Sequence, residues 1–340
     1  GMVASKTDQK GQRIEYTYDS YRRVTQVKKY PAGQQNDDPC QRVDYYYDTN
    51  PYESWFTQNG WGRVAVVEYG STSCAGKYRE SYSYTSGGLP VKKKLRVEAE
   101  YSGTGELVAQ WSYDNEGKML TVKYPDTYDA DGNPVTGLTY TYGYDSAGRL
   151  ATLVDNRPGD PPGWTWVGNT TYNVAGQVTY MGNSYSSEWR EYNERLQVTR
   201  IYTAGADVHY YYPDAQNNDG RITRRNINGV DTTYTYDDLG RLLTADSAGA
   251  GWGLSFVYDG FGNRLQQTAT RGTPPPSNLT YNASNNRITT TGYAYDNNGN
   301  LTATPELTLA YDVENRLVEA VAQGWTVRYA YAPNGQMVRT

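Results

Sequence analysis

One short pattern recurs along almost the whole of this chain: Tyr, Asp, two small or polar residues, Gly, a polar residue and an aliphatic one. The cleanest copies are Tyr144-Asp145-Ser146-Ala147-Gly148-Arg149-Leu150 and Tyr236-Asp237-Asp238-Leu239-Gly240-Arg241-Leu242. A dense repeat makes the chain a scaffold before anything else, because each copy must bury its surface against its neighbours. Asp at the first turn position and Gly at the fourth mark a type I turn. Asp hydrogen-bonds the backbone two residues on, and Gly accepts the positive φ that closes a hairpin with a bulge. This spacing occurs at Asp114/Gly117, Asp145/Gly148, Asn173/Gly176, Asp237/Gly240, Asp259/Gly262 and Asp296/Gly299. At Asp312 the fourth residue is Asn315, the next most tolerant of that conformation.

A second aromatic or aliphatic residue stands two before the Tyr, as in Tyr142/Tyr144, Tyr234/Tyr236, Phe256/Tyr258 and Leu309/Tyr311. A spacing of two puts both side chains on one face of a strand. Residues such as Leu150, Leu242, Leu301 and Leu317 then open the return strand. Each copy therefore reads as a β-hairpin with a Tyr-rich face, and stacked hairpins are expected to align these rings into ladders. Some copies are degenerate. Tyr47-Asp48 reaches Gly62-Arg63-Val64 only after a long excursion, and Tyr192-Asn193 reads as having lost a residue before Arg195-Leu196.

The expected fold is all-β: tandem antiparallel hairpins in a curved or spiralling sheet that forms a partial or complete hollow shell. After a leading segment 1–11, residues 12–340 read as one continuous array, with irregular insertions near 31–80, 125–137, 155–168, 213–220 and 270–278. Leu, Ile, Val and Phe are scarce, which alone would suggest disorder. Against that stand 36 Tyr and 8 Trp to bury and a net charge of only -5. With polar residues on both faces, a compact oily core is not expected. The nearest approach to a helical period is Lys92–Tyr101, which suits strand alternation equally well. No apolar run approaches the ~20 residues that span a bilayer, and no signal peptide is read. Gly1-Met2 reads as a tag-removal scar, and the chain as an excised piece or a short member of something larger. Mild acidity without a basic patch argues against a nucleic-acid partner.

The repeated Tyr-Asp-x-x-Gly-Arg-Leu units resemble the YD repeats of the Rhs family, which takes in bacterial Rhs toxins, the B and C subunits of insecticidal toxin complexes, and teneurins. The resemblance runs from about Gln12 to Thr340. It implies hairpins spiralling into a hollow shell that encloses a toxic domain in the bacterial proteins and serves adhesion in teneurins. The core segment that carries self-cleavage in the bacterial family is not found here, so no protease residue is carried over.

Candidate chemistry is thin. The single His209 lies in a strand pattern and has no partners for a His-rich metal site or a triad. The repeated Asp residues sit where turns already require them. Glu188 and Glu191, around Trp189 and Arg190, break the pattern; a solvated strand face is the default reading and a sugar-binding or catalytic pair the minor one. Asp126 to Asn133 departs from a calcium loop and reads as a hairpin insertion with a tight turn. Asn169, Asn278, Asn282 and Asn300 begin glycosylation sequons of the kind chance supplies in an Asn/Thr-rich chain. Lys92-Lys93-Lys94 and Arg224-Arg225 read as solvated strand positions.

Cys40 and Cys74 are a candidate disulfide. It would close a loop of about 35 residues and add on the order of 3–4 kcal/mol; the bridge and two free thiols both stay open, the thiols slightly ahead. The Pro-rich stretches Arg157–Gly163 and Thr273–Ser277 read as stiff loops. Near the first, Trp164 and Trp166, with Trp189 further on, are the candidate ligand-binding residues, although covering a sheet edge is the favoured role for the first two. No cofactor or metal is called for.

The function these features support is a non-enzymatic structural module, a shell that encloses or displays an associated polypeptide such as a toxin domain. The alternative is a surface recognition module that binds carbohydrate or protein through Tyr and Trp faces. The expected setting is secreted or cell-surface and bacterial. The expected partners are the rest of a larger Rhs-type polypeptide or its cargo, with carbohydrate as a further candidate and no membrane insertion.

Overall fold

Antiparallel pairing runs through every sheet of the computed structural model, which describes the chain apart from residues 75, 100–102, 130, 158–162, 184, 248, 274–276 and 340. None of the described residues is helical, so no helix is long and apolar enough to cross a membrane. The stretch nearest a helical period lies largely in the strand Pro90–Ala99. The Pro-rich stretches read as stiff loops fall mainly at 158–162 and 274–276, outside the described residues.

Local chemistry dictates the hairpins. At Asp145 the main-chain N–H donates to Arg149 O (2.8 Å) and the Gly148 N–H donates to Asp145 O (2.9 Å). The Asp145 Oδ1 accepts from the N–H groups of Ala147 and Arg149. The same set recurs at Asp114, Asp237 and Asp259. At Asp296 the carboxylate accepts from Asn300 N–H, and Gly299 closes the turn. Gly148 has φ +75° and Gly240 φ +79°. A β-branched side chain is strongly disfavoured there. Gly148→Val and Gly240→Val are therefore expected to cost about 1–3 kcal/mol each. Thermal melts would read this as lowered midpoints, and unchanged midpoints in both variants would show that the turns do not depend on this conformation.

The glycines of these copies all close their turns, but their surroundings differ. Gly117 N–H donates to Asp114 O (3.1 Å) and Gly262 N–H to Asp259 O (3.2 Å), so both close their turns. Yet Gly117, Gly262 and Gly299 are exposed, whereas Gly148 and Gly240 are half-buried. A Cβ added at Gly262 would meet open space. Gly262 therefore shapes the backbone of its own hairpin at the solvent boundary, whereas a Cβ at Gly117 would touch the Leu89 side chain of the neighbouring hairpin at 3.4 Å. The motif spacing encodes the turn but not how deeply each turn is covered by its neighbours.

Two degenerate copies keep the same geometry. Tyr192 pairs with Val198, Asn193 N–H donates to Gln197 O, and Leu196 occupies the glycine position at φ +61°. No residue has been lost, contrary to the reading from sequence: Leu196 stands where Gly was sought, so Gln197-Val198 and not Arg195-Leu196 close the turn. Asp48 likewise reaches across its excursion, pairing its N–H with Arg63 O and its carboxylate with Gly62 N–H at 2.7 Å.

The chain divides into two compact units, Gly1–Tyr140 with Thr291–Thr340, and Thr141–Thr290. In the first, strands from Ser5–Thr7 to Met119–Lys123 pair in chain order. A side hairpin of Thr127–Tyr128 with Pro134–Val135 forms the insertion near 125–137, its turn closed by Gly132 N–H on Asp129 O. Strands from Ala294–Tyr295 to Trp325–Arg328 and a last hairpin complete this unit.

This unit does have an apolar core, which corrects the expectation from composition. Ile14, Val27, Val43, Val67, Tyr69 and Tyr78 pack with Val313 and Ala332 from the last repeats. Polar ties join the same two ends: Lys10 to Asp296 (3.0 Å), Asn298 Nδ2 to Asp8 (2.6 Å), Val313 N–H to Gln41 Oε1 (2.9 Å) and Lys29 to Glu314 (2.5 Å). A core made between residues so far apart leaves no periodic signature in either end.

Cys40 and Cys74 are disulfide-bonded, with Cα atoms 5.9 Å apart. Pairing of Val43 with Tyr69 draws the loop before one strand and the turn after the other together. Sequence separation could not reveal that proximity, so the lean toward free thiols is corrected. Lys94 also departs from its solvated reading: it is buried and forms ion pairs with Glu53 and Glu106 from adjoining structure.

The second unit contains the hairpin of Leu150–Asp155 with Thr165–Val167 and an eleven-stranded meander from Asn169–Tyr172 to Ser277–Asn278. Tyr-Asp-type turns close alternate connections of this meander, and strands reverse at each one, so these turns all line one edge of the sheet. Its buried residues are mostly polar, with Asp155, Thr170, Thr232 and Ser247 beside Ala245.

Candidate functional site

The repeat's tyrosine links each hairpin to the one before it. Tyr172 Oη donates to Leu150 O (2.6 Å), Tyr192 to Val178 O (2.8 Å), Tyr236 to Ile222 O (2.8 Å), Tyr258 to Leu242 O (2.9 Å) and Tyr331 to Leu317 O (2.7 Å). In each case the acceptor is the aliphatic residue that follows the preceding turn and opens or leads into its return strand. One such bond contributes about 0.5–1.5 kcal/mol, and its repetition fixes the spacing of successive hairpins.

The arginine of the motif completes this junction. Arg23 Nε donates to Asp19 of its own turn (2.7 Å), while Nη1 and Nη2 form a two-pronged pair with Asp48 of the next (2.9 Å each). Its guanidinium lies 4.3 Å from the Tyr47 ring centroid. Arg149 pairs with Asp145 and covers Tyr172, Arg241 pairs with Asp237 and covers Tyr258, and Arg316 pairs with Asp312 and covers Tyr331. A planar guanidinium suits both contacts, which an ammonium would not match. Backbone donation from Arg149, joined by its side chain, holds the Asp145 carboxyl below its ordinary value. In place of the ring-on-ring ladder expected among the turn tyrosines, the partner stacked on each of these rings is the arginine of the preceding repeat.

Trp164 and Trp166 come together around one carboxylate. Asp155, with a side chain 0% exposed, accepts from Arg157 Nε (2.9 Å to Oδ2) and Nη2 (2.6 Å), from Trp164 N–H (3.0 Å) and from Trp166 Nε1 (2.9 Å). The Arg157 hydrogen bond leads the causes that hold the Asp155 carboxyl well below its usual range. Trp164 also stacks on Tyr185 at 4.9 Å, and Arg157 lies over both indoles. The Trp166 indole N–H is thus occupied by Asp155, although Trp166 remains 43% exposed.

Trp189 belongs to a separate cluster. It faces Tyr180 and Tyr202 across the strands at 5.3 and 5.1 Å, the latter nearly parallel, and is 37% exposed. Glu188 and Glu191 point to opposite faces of their strand, as a separation of three requires. Glu188 pairs with Arg190 (2.6 Å) and Glu191 with Arg200 (3.4 Å). They do not form a carboxylate pair across one bond. His209 Nε2 lies 3.1 Å from Asp207, which also pairs with Arg200. The Arg200 hydrogen bond leads in lowering the Asp207 carboxyl to about 2. No three His, Cys, Asp or Glu side chains gather as a metal site among the described residues.

The motif spacing marks this arginine only as a polar residue, and its structural role emerges from the structure. Its signal was present in the four-residue separation of Asp19/Arg23, Asp145/Arg149, Asp237/Arg241 and Asp312/Arg316. The Asp155 cluster had no comparable signal, since its members come from an insertion outside the repeat.

Residues 215–339 match the Teneurin YD-shell family model. Teneurin-4 of Mus musculus is 26% identical over 76% of this chain, and teneurin-1 of Homo sapiens is 26% identical over 52%. The chain spans 8% and 6% of those proteins. Among solved structures, the TcdB2-TccC3-Cdc42 crystal structure superposes with a TM-score of 0.76 at 15% identity, covering 96% of this chain and 18% of that one. TcdB2-TccC3 without its hypervariable C-terminal region gives 0.68 at 16% identity, covering 96% of this chain and 19% of that one. These likenesses carry one fold across nearly the full chain, and with the repeated Tyr-Asp turn and the match over residues 215–339 they make the chain similar to the YD-repeat proteins of the Rhs family.

Proposed function

We propose that this chain is a non-enzymatic structural module of a larger Rhs-type polypeptide, a wall of YD repeats that encloses or displays an associated polypeptide such as a toxin domain in a secreted or cell-surface bacterial protein. The observation that carries this reading is the Tyr–Arg–Asp junction between successive hairpins. It commits the motif's reactive side chains to holding neighbours in register, and the turn carboxylates accept main-chain bonds where a catalyst would leave them free. The small share of each relative that the chain spans supports the larger polypeptide.

Co-expression with the polypeptide encoded by the adjoining natural reading frame, followed by proteinase K digestion, tests the proposal. Enclosure predicts a partner protected with the wall intact and digested when expressed alone; display predicts stable co-purification without protection. A partner that neither co-purifies nor gains protection overturns the reading. A second reading, recognition of carbohydrate or protein at a surface, is favoured by the exposed edge of the Tyr180–Trp189–Tyr202 ladder. Glycan binding lost in Trp189→Ala would raise it above the first.

A further inference from the structure

We propose that the Cys40–Cys74 disulfide is a redox clasp, and that its reduction loosens the contact between the first and last repeats of the unit formed by Gly1–Tyr140 and Thr291–Thr340. The disulfide fastens the loop Pro31–Arg42 to the turn after Val64–Ser71. That loop is mostly exposed, so few apolar contacts hold it, and segments of this kind open most readily.

The same loop reaches the last repeats. Gln41 Oε1 accepts the Val313 N–H at 2.9 Å, and its Nε2 donates to Asp38 at 2.7 Å within the loop. Between the disulfide and residues Ala310 to Pro333 lies a cavity of about 410 Å³, also lined by Tyr69 and Tyr78. A void at this position means that packing between the clasp and the last repeats is thin, so the tether through Cys40 matters more to the loop's placement. Val313 and Ala332 remain buried in the core beneath it. The expected response is therefore local opening and not unfolding of the unit.

Cys40 is exposed and Cys74 half-buried, so a soluble reductant can reach the bond. A dithiol supplies the chemistry. Its thiolate attacks one sulfur and breaks the S–S bond, and its second thiol displaces the mixed disulfide to form a cyclic disulfide. Two electrons pass to the protein, and Cys40 and Cys74 take up two protons to become thiols.

Hydrogen exchange on the full chain, oxidised and after dithiothreitol with thiol counting, is the test. Amide exchange in peptides covering 29–43 and 310–333 is expected to rise about tenfold or more on reduction, while peptides within 150–270 keep their rates. Cys40→Ser/Cys74→Ser should show the faster rates without reductant and no further response to it. If that variant does not fold, reduction of the folded native chain decides alone. Unchanged exchange at 310–333 after complete thiol release overturns the proposal, as does uniform loosening of every unit-1 peptide, which would make the bond a general staple. Neither outcome depends on whether the wall encloses another polypeptide.

Discussion

Glu314→Ala is expected to destabilise the unit containing both chain ends by about 3 kcal/mol, because it strands an ammonium in the interior. Lys29 has a side chain only 3% exposed and meets Glu314, 30% exposed, at 2.5 Å. Burial pulls the Lys29 ammonium below its ordinary value in spite of this partner. For Glu314, burial acts to raise the carboxyl, but the charges of Lys29 and Arg316 outweigh it and hold it below its ordinary value. Removing the carboxylate also releases Arg316, which bonds it at 3.0 Å. Lys29→Met should behave differently, since replacing a buried ion by an apolar chain of similar length is often close to neutral. The double variant is then expected to recover most of the stability lost in Glu314→Ala. Urea unfolding of all three supplies the comparison, and equal midpoints for Glu314→Ala and Lys29→Met would show that no buried charge is left behind.

How much of this was legible in sequence depends on the range of the interaction. The turns were legible because every partner of Asp145 or Asp237 lies within four residues, and turn chemistry and strand alternation agree at those copies. The junction was half legible: Tyr236 and Arg241 stand at fixed places in the motif, but their partners Ile222 and Tyr258 belong to neighbouring copies at variable distances. The unequal cover over Gly117 and Gly240 was hidden for the same reason, since it is set by which neighbour lies beside each turn. What composition hid was the core at Val313 and Ala332. Those residues meet Ile14 and Val27 only because the chain's last repeats pack on its first, and no window of sequence contains both. The disulfide follows the same rule, since the pairing of Val43 with Tyr69 had to be known before Cys40 and Cys74 could be brought together. The candidate ligand residues show the opposite limit. Tryptophan beside a Pro-rich loop was visible, but whether Trp166 offers its N–H outward or donates it to Asp155 is decided by a buried carboxylate that looks like any other acid in the sequence.

That carboxylate carries the second large effect. Asp155→Ala is expected to destabilise the unit Thr141–Thr290 by about 2–3 kcal/mol, because it removes the charge-assisted hydrogen bonds from Arg157 and the acceptor of the Trp164 N–H and Trp166 Nε1. Both indoles should gain water as the cluster opens, so tryptophan emission ought to shift to longer wavelength together with a lower thermal midpoint. Asp155→Asn keeps the side-chain volume and one acceptor, and its loss should be smaller. Acid provides an independent arm. The folded-state value of Asp155 is depressed below the 3.8 of an ordinary Asp, so its contribution is fully present above that value and is lost as pH falls through the folded one. The emission shift in the native chain should therefore appear only below the usual carboxylate range, and it should be absent from Asp155→Ala, which has already lost the group. A shift centred near 3.8, or one that survives in Asp155→Ala, would mean that the tryptophans are not organised by this carboxylate and would return Trp164 and Trp166 to the role of a free aromatic platform.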